Sequence, residues 1–318
     1  MHLHIISSIN PNELKSSNIA SNRLRLSYVY STALDLGYKV TGGLKIPVSA
    51  DVYYFGKITT GMKDTAINII NILKTQKTQL IVDYTDDLLD PKIDTARSKI
   101  YEKLMSLDSI ITVPVYGLGK KCRERNKTVF VIPDGIDNIS NLDPLKKNNK
   151  ETNVLWNGHN TNINSLIRVM DSDLINYTYN IHVVSNIKSF EILKKTKFRN
   201  VLKCKLYAHK WNINKLQTVA KKCDFAILPT DKPWASSNRL ITNFRLGLPV
   251  LAETIESYSP FIKYYSEFNR ENIEKMFDSP ESWHNLVRLA QKIIYNKFNQ
   301  DRLKDLWKKV LIYKNSKQ

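Results

Sequence analysis

A chain of 318 residues, 42% hydrophobic and 25% charged, has enough apolar surface for one large core or two medium ones, which excludes a disordered or fibrous chain. Its apolar runs, such as Ala66–Leu73, fall short of the roughly 18–20 residues that span a bilayer, and the opening Met1-His2-Leu3-His4 has no basic n-region. A cytosolic chain without a secretory signal is the expectation. The 48 Lys and Arg against 30 Asp and Glu give a net charge of +18, which favours anionic partners such as nucleotides, nucleic acid or lipid headgroups; a Lys-, Asn- and Ile-rich composition accounts for part of it.

In chain order, the β-branched run Leu3–Ser8 predicts a strand, and the helical spacing of Asn18–Leu36 predicts a helix that stops at Gly37. Val40 and Asp51–Phe55 read as short strands, Thr65–Lys74 as a helix, and Gln79–Tyr84 as a buried strand running into Asp83, Asp86 and Asp87. A helix over Ala96–Ser106, a strand over Ser109–Val113, a basic helix over Tyr116–Arg125 and a strand over Val129–Ile132 follow, closing on Pro133-Asp134-Gly135-Ile136-Asp137. Such alternation predicts a parallel sheet with helices on both faces.

From Asn138 to Asn153 the chain turns polar, with Pro144 and a run from Lys146 to Lys150, and reads as a linker. A second alternation then begins. Its strands are Val154–Trp156, Tyr179–Ser185, Val201–Leu206, Phe225–Pro229 and Pro249–Ala252, and its helices Asn164–Met170, Ser189–Lys195, Ile213–Lys222 and Asn238–Leu246. Past Ser282 the pattern is continuously helical to about Tyr313, and residues 292–318 hold eight Lys and Arg against two Asp. Cys122, Cys204 and Cys223 are odd in number and form no C-x-x-C, which fits a reduced compartment and no structural metal.

In open parallel sheets, ligands bind where loops and helix N-termini follow the carboxyl ends of strands. The best candidate is the loop from Pro229 into Ser236, Ser237, Asn238 and Arg239, which puts hydroxyls, an amide and a guanidinium on the first turn of a helix. Either serine can cap that helix, and Arg239 can bind phosphate through two parallel bonds. An ordinary N-cap with a surface arginine is the plainer alternative.

The stretch Asp224–Ala252, with Asp-Phe-Ala-Ile-Leu-Pro, Ser-Ser-Asn-Arg-Leu and Leu-Gly-Leu-Pro-Val-Leu-Ala in that order, resembles the donor-binding segment of GT-B glycosyltransferases of the group-1, family-4-like type. Val131–Asp137 is similar to the family's interdomain strand and turn, Val154–Gly158 to the strand and glycine turn that open its nucleotide-binding domain, and Ser21–Arg25 with Gly37–Val40 to its first loop and helix. The resemblance covers roughly residues 1–315. It implies two Rossmann-like, doubly wound α/β domains facing across a cleft: an acceptor-side domain over 1–140, a linker over 141–152, a donor-nucleotide domain over 153–295, and a basic C-terminal helix over 296–318 that packs back on the N-domain.

The departures are specific. The family's retaining members carry a Glu-x7-Glu pair whose positions fall here on Trp234 and Thr242, and the Arg and Lys that follow the glycine turn are absent from Gly158-His159-Asn160-Thr161-Asn162. The resemblance therefore implies a donor site made of Gly158, His159, Pro229, Ser236, Ser237, Asn238, Arg239 and Thr242, with nucleotide, sugar and stereochemical outcome open. Asp83, Asp86 and Asp87 are candidates for a base or for acceptor contacts, against the alternative of an acidic helix start. Arg23 and Arg25 are candidates for acceptor or phosphate contacts, against solvated helix-face arginines. His2 and His4 share one face of the first strand and read as packing or surface residues rather than ligands. Glu253 and Glu256 fall where a chain turn near the sugar is expected, and read as surface loop charges in preference to sugar contacts.

Lys120, Lys121, Arg123, Arg125 and Lys127 make one helix basic, and aromatics are interleaved with lysines from Lys292 onwards. Such helices lie on anionic membrane surfaces, or use their aromatics as core. The leading expectation is a glycosyltransferase that uses a nucleotide-sugar co-substrate, needs no cofactor, and acts on a surface polysaccharide or lipid-linked glycan at the inner face of a membrane. A DNA-base-modifying enzyme of the same fold and a catalytically inactive scaffold are the alternatives.

Overall fold

The computed structural model describes residues 1–47, 49–58, 62–75, 78–89, 95–125, 127–144, 151–172, 179–197 and 204–313. The chain forms two compact units, Met1–Gly135 together with Phe298–Gln318, and Ile136–Lys297. The lysine-rich run 146–150 and the expected strand start Val201–Lys203 lie outside the described residues.

The first unit contains β1 (His2–Ile6), α1 (Ser27–Asp35), β2 (Lys39–Gly42), β3 (Val52–Phe55), α2 (Lys63–Leu73), β4 (Gln79–Asp83), α3 (Thr95–Ser106), β5 (Ile110–Val113), α4 (Tyr116–Arg123) and β6 (Thr128–Val131). All its strands are parallel, in the order β2-β1-β3-β4-β5-β6. Apolar β-branched and aromatic runs such as Val52–Phe55 and Ile110–Val113 are buried along their whole length, as strands covered on both faces must be. The expected helix over Asn18–Leu36 is two pieces: a π-helical turn, Asn22–Leu26, leads into α1, and every residue of that turn is buried. Glycine at 135 is steric in origin. Its N–H donates to Leu24 O at 2.8 Å, and a Cβ there would meet the Tyr28 ring, with Cζ at 2.7 Å.

The expected long C-terminal helix breaks at Phe298-Asn299, where Asn299 accepts from the Arg302 N–H and caps α11 (Gln300–Leu311). Leu303, Trp307, Val310 and Leu311 give α11 one apolar face, and it is buried in the core of the first unit with Leu3, Ile5, Val29 and Tyr54. Trp307 packs edge-on against Tyr54 at 5.8 Å.

The second unit contains β7 (Thr152–Asn157), α5 (Ile163–Met170), β8 (Tyr179–Ser185), α6 (Ile187–Lys195), β9 (Cys204–Lys210), α7 (Ile213–Ala220), β10 (Phe225–Leu228), α8 (Asn238–Arg245), β11 (Val250–Ala252), β12 (Ser266–Glu267), α9 (Arg270–Asp278) and α10 (His284–Lys297). Its parallel strands run β12-β11-β10-β7-β8-β9. From β7 the chain builds outward through β8 and β9, then returns to place β10 on the other side of β7. That reversal defines a switch point between β7 and β10, where the loops leaving the two carboxyl ends diverge. β12 and α9 have no counterpart in the expected elements, because a two-residue strand carries no period and the buried apolar residues of α9, Ile273 and Met276, stand among Arg, Glu, Asn and Lys and are too few to set one.

Both units are thus α/β, with a six-stranded parallel sheet flanked by helices. Among the described residues no helix is long and apolar enough to cross a membrane. Cys122 and Cys223 are buried thiols, Cys223 Sγ donates to Val219 O at 3.3 Å, and burial pushes the Cys122 thiol up to about 12, which makes it a poor nucleophile.

Candidate functional site

The switch point of the second unit gathers most of the residues expected to hold a donor. β7 ends in Trp156 and Asn157, both buried, and is followed by Gly158. A Cβ on Gly158 would lie 2.8 Å from the tip of the Trp156 indole and 3.4 Å from Arg239 Nη1, so only glycine lets the backbone run this close to that guanidinium. The turn is fixed from behind: the Gly158 N–H donates to Val184 O at 3.2 Å, and Ser185 Oγ donates to Gly158 O at 2.6 Å. His159 is exposed and accepts from the Thr161 N–H, which gives it a capping role.

From the neighbouring strand, β10, the chain passes through Pro229 to α8. Ser165 on α5 donates to Pro229 O at 3.0 Å. Ser236 Oγ accepts from the Asn238 N–H at 3.2 Å, while Ser237 occupies the cap position without a side-chain bond. Asn243, fully buried on α8, donates to Asn157 Oδ1 at 3.1 Å and ties the helix to the end of β7. Thr242 stands beside it, partly buried.

Arg239 is the unusual member. Its Nη1 is buried and has no hydrogen-bond partner among the described residues, and no described carboxylate lies within ion-pair distance. A buried guanidinium nitrogen left unpaired costs more than most single contacts contribute. Tyr258 presents a second orphan: it is fully buried, and its hydroxyl also has no partner. Burial holds the Tyr258 phenol above its ordinary value, with the Arg239 charge pulling the other way, so it stays a neutral donor within electrostatic reach of that charge. Together with the first-turn N–H groups and positive dipole end of α8, these donors suit an anion.

The loop between β10 and α8 is clamped at both ends. The Thr230 N–H donates to Glu253 Oε2 at 2.5 Å, Arg168 Nη2 donates to both Glu253 oxygens at 2.7 and 2.9 Å and to Asp231 at 3.0 Å, and Ser257 Oγ donates to Ala235 O at 2.6 Å. Glu253, expected as a surface loop charge, is therefore the post on which this loop is hung. Tyr258, Asn243 and Glu253 carry no local sequence signal, since their roles come from the loops after β7, β10 and β11 meeting at one rim.

The acidic cluster of the first unit divides. Asp83 is sealed: Arg25 Nε lies 2.9 Å from both its oxygens, Arg25 Nη2 2.8 Å from Oδ1, and Thr112 Oγ1 donates to Oδ1 at 2.9 Å. Arg25 also donates to Ile132 O at 2.7 Å and Asp134 at 3.1 Å, and its guanidinium sits over Trp307. Burial alone would lower the Arg25 value, and the charges of Asp83 and Asp134 more than reverse it. Asp83, expected as a candidate base, and Arg25, expected as a candidate acceptor or phosphate contact, pair with each other, each side chain only 1% exposed. Arg23 is buried as well and donates to Ser17 O at 2.7 Å. Asp87 accepts from Tyr84 OH at 3.1 Å and pairs with Lys121. Asp86, paired with Lys57, is 42% exposed and is the carboxylate of this cluster that solvent reaches best. Among the described residues no group of three or more His, Cys, Asp or Glu is placed to hold a metal ion.

No family model matches the chain, and no curated protein matches it. Solved structures do. Anabaena Alr3699/HepE, in complex with UDP and glucose, has a TM-score of 0.63 at 10% identity, with 97% of this chain and 98% of that chain covered. The lipopolysaccharide outer core galactosyltransferase WaaB has a TM-score of 0.55 at 10% identity, covering 98% and 99%. TarM has a TM-score of 0.58 at 14% identity over 82% of this chain, which spans 55% of TarM's length. The fold shared with these structures is GT-B.

Proposed function

We propose that this chain of GT-B fold is a glycosyltransferase that moves a sugar from a nucleotide-sugar donor to a glycan or lipid-linked glycan acceptor. One observation carries the reading. At the switch point of the second unit, where this fold class holds its ligands, the buried Arg239 Nη1 lacks a partner beside Gly158 and the N-terminus of α8. The similarity of fold to a structure that holds UDP and glucose supports a nucleotide-sugar as the anion.

When a glycosyl group leaves a nucleoside diphosphate, negative charge grows on the departing phosphate. Arg239, the dipole of α8 and the neutral Tyr258 hydroxyl are donors in place before that charge develops, so they lower the barrier with little reorganisation. The net charge of +18 supports an anionic carrier on the acceptor, and Tyr116, 63% exposed beside Arg123 on the basic helix α4, supports contact with an anionic membrane surface.

The test is a thermal-shift screen of the wild type and Arg239→Ala against UDP, GDP, ADP, CMP and dTDP and their common sugars, with duplex DNA in parallel. A shift with one nucleotide that the variant loses supports the reading. Silence with every nucleotide, or a salt-sensitive shift with DNA alone, overturns it.

A further inference from the structure

In the first unit, β2 and β3 lie on opposite sides of β1 and parallel to it, so the connection between them must pass over β1. Such a crossover is ordinarily a helix. Here the described residues of 43–51 form none, and three side chains of the strands hold them instead. His2 Nδ1 lies 2.8 Å from Ser49 O, His4 Nε2 lies 3.3 Å from Gly43 O, and Tyr53 OH donates to Pro47 O at 2.9 Å. His2 and His4 share one face of β1, as a spacing of two requires. Their other ring nitrogens converge on one atom: His2 Nε2 lies 2.8 Å and His4 Nδ1 2.9 Å from Thr41 Oγ1 on β2.

This row of groups can be counted for hydrogens. It starts and ends on backbone carbonyls, which only accept, so both outer ring nitrogens must carry a hydrogen. Each inner link to Thr41 Oγ1 needs one as well. Four links therefore need four hydrogens, while two neutral imidazoles and one hydroxyl supply three. With both histidines neutral, one inner link sets a nitrogen lone pair against an oxygen lone pair. One added proton completes the row.

We propose that His2, Thr41 and His4 form a proton-binding latch that takes one proton from solvent on to one imidazole and thereby fastens the crossover between β2 and β3. The surroundings suit a single charge. Asp51 accepts from the His2 backbone N–H at 2.6 Å and sets a negative charge beside that residue. His4 is held below its ordinary value, first by burial, with the Gly43 carbonyl opposing and the His2 charge adding to the effect, so a second proton is resisted. The other titratable groups around the pair are Tyr53, whose ring is edge-on to His4, Lys39, which pairs with His2 in the strand register, Tyr38 beside it, and the exposed Lys45 of the crossover. The sign follows: the extra bond is present where the first proton is bound, and it is lost as the pH rises through the histidine range.

The test uses the full chain. Imidazole 15N shifts at pH 6 are expected to show three protonated nitrogens among the four of His2 and His4; two or four would overturn the proposal. Amide exchange of the crossover, corrected for its intrinsic pH dependence, is expected to slow by about fivefold between pH 8 and pH 6, the factor one net hydrogen bond provides. Thr41→Val is expected to abolish that difference and Thr41→Ser to keep it. Equal protection at both pH values in the wild type, or a difference that survives in Thr41→Val, would overturn it. If Thr41→Val does not fold, the nitrogen count in the wild type decides alone.

Discussion

Arg25 and Asp83, 58 residues apart in sequence, form a charge pair in the core of the first unit with each side chain only 1% exposed. Both carboxylate oxygens are engaged, and the guanidinium is shared with Asp134, Ile132 O and the Trp307 ring. Removing one partner strands the other's charge. Asp83→Asn and Arg25→Ala are each expected to destabilise the protein by about 3–5 kcal/mol in urea unfolding, whereas Thr112→Val, which removes one hydrogen bond to a charged acceptor, is expected to cost about 2 kcal/mol. A loss below 1 kcal/mol in Asp83→Asn would show that the pair does not carry the core.

Arg239→Ala is expected to weaken nucleotide binding by roughly 2–3 kcal/mol, the scale of a hydrogen bond to a charged group, with an unchanged or slightly raised Tm, since an unpaired buried nitrogen is removed. Titration calorimetry with the nucleotide identified by thermal shift reads the first, and calorimetric unfolding the second. Tyr258→Phe is the milder probe, expected to lower kcat with little change in KM if its hydroxyl meets only the departing charge.

Gly158→Ala places a methyl group against the Trp156 indole. Overpacking of this kind is expected to cost about 1–3 kcal/mol of stability and to weaken nucleotide binding further by shifting the turn. Denaturant midpoints separate the two effects, because a purely structural loss leaves affinity at saturating folded fraction untouched.

Glu253→Gln keeps the shape of the clamp but weakens its hold on Arg168 and the Thr230 N–H. Activity is expected to fall mainly through KM, because the loop that carries Ser236 to Arg239 becomes less ordered before the donor binds. Steady-state kinetics check this, and a pure kcat effect would place Glu253 in the chemistry instead.

The second unit has a histidine pair of the opposite kind. His182 Nε2 donates to Asn153 Oδ1 at 3.0 Å, and its Nδ1 accepts from His209 Nε2 at 3.1 Å, so both of these bonds are made with the two rings neutral. Burial first, then the His209 and Lys222 charges, lower His182 to about 4. A lowered histidine contributes stability above its unfolded value that is lost as pH falls through the folded one. Tm is expected to drop between about pH 6.5 and pH 4, and His182→Gln to flatten that part of the profile; an identical slope in the variant would assign the acid loss elsewhere.

The alternation of apolar strands with amphipathic helices is a local property, and two parallel α/β halves are legible from it. Tyr179–Ser185 matches its expected strand residue for residue, because Tyr179, Ile181 and Val183 recur at the period of two that a strand imposes. The loop from Pro229 to Arg239 was also legible, since hydroxyls and an arginine at a helix start are written consecutively. What no local pattern specifies is which groups neutralise each other. Asp83 and Asp86 look alike in sequence, yet one is sealed by an arginine from another element and the other faces solvent. Glu253 reads as a loop charge until the carboxyl ends of β10 and β11 lie side by side, and nothing in the order of the residues tells that Gly158, at the end of β7, lies against the Arg239 guanidinium. Periodicity determined the layers of this protein because burial acts on each residue separately. The tertiary structure decided the site because charge and hydrogen bonding act between residues that only strand order makes neighbours.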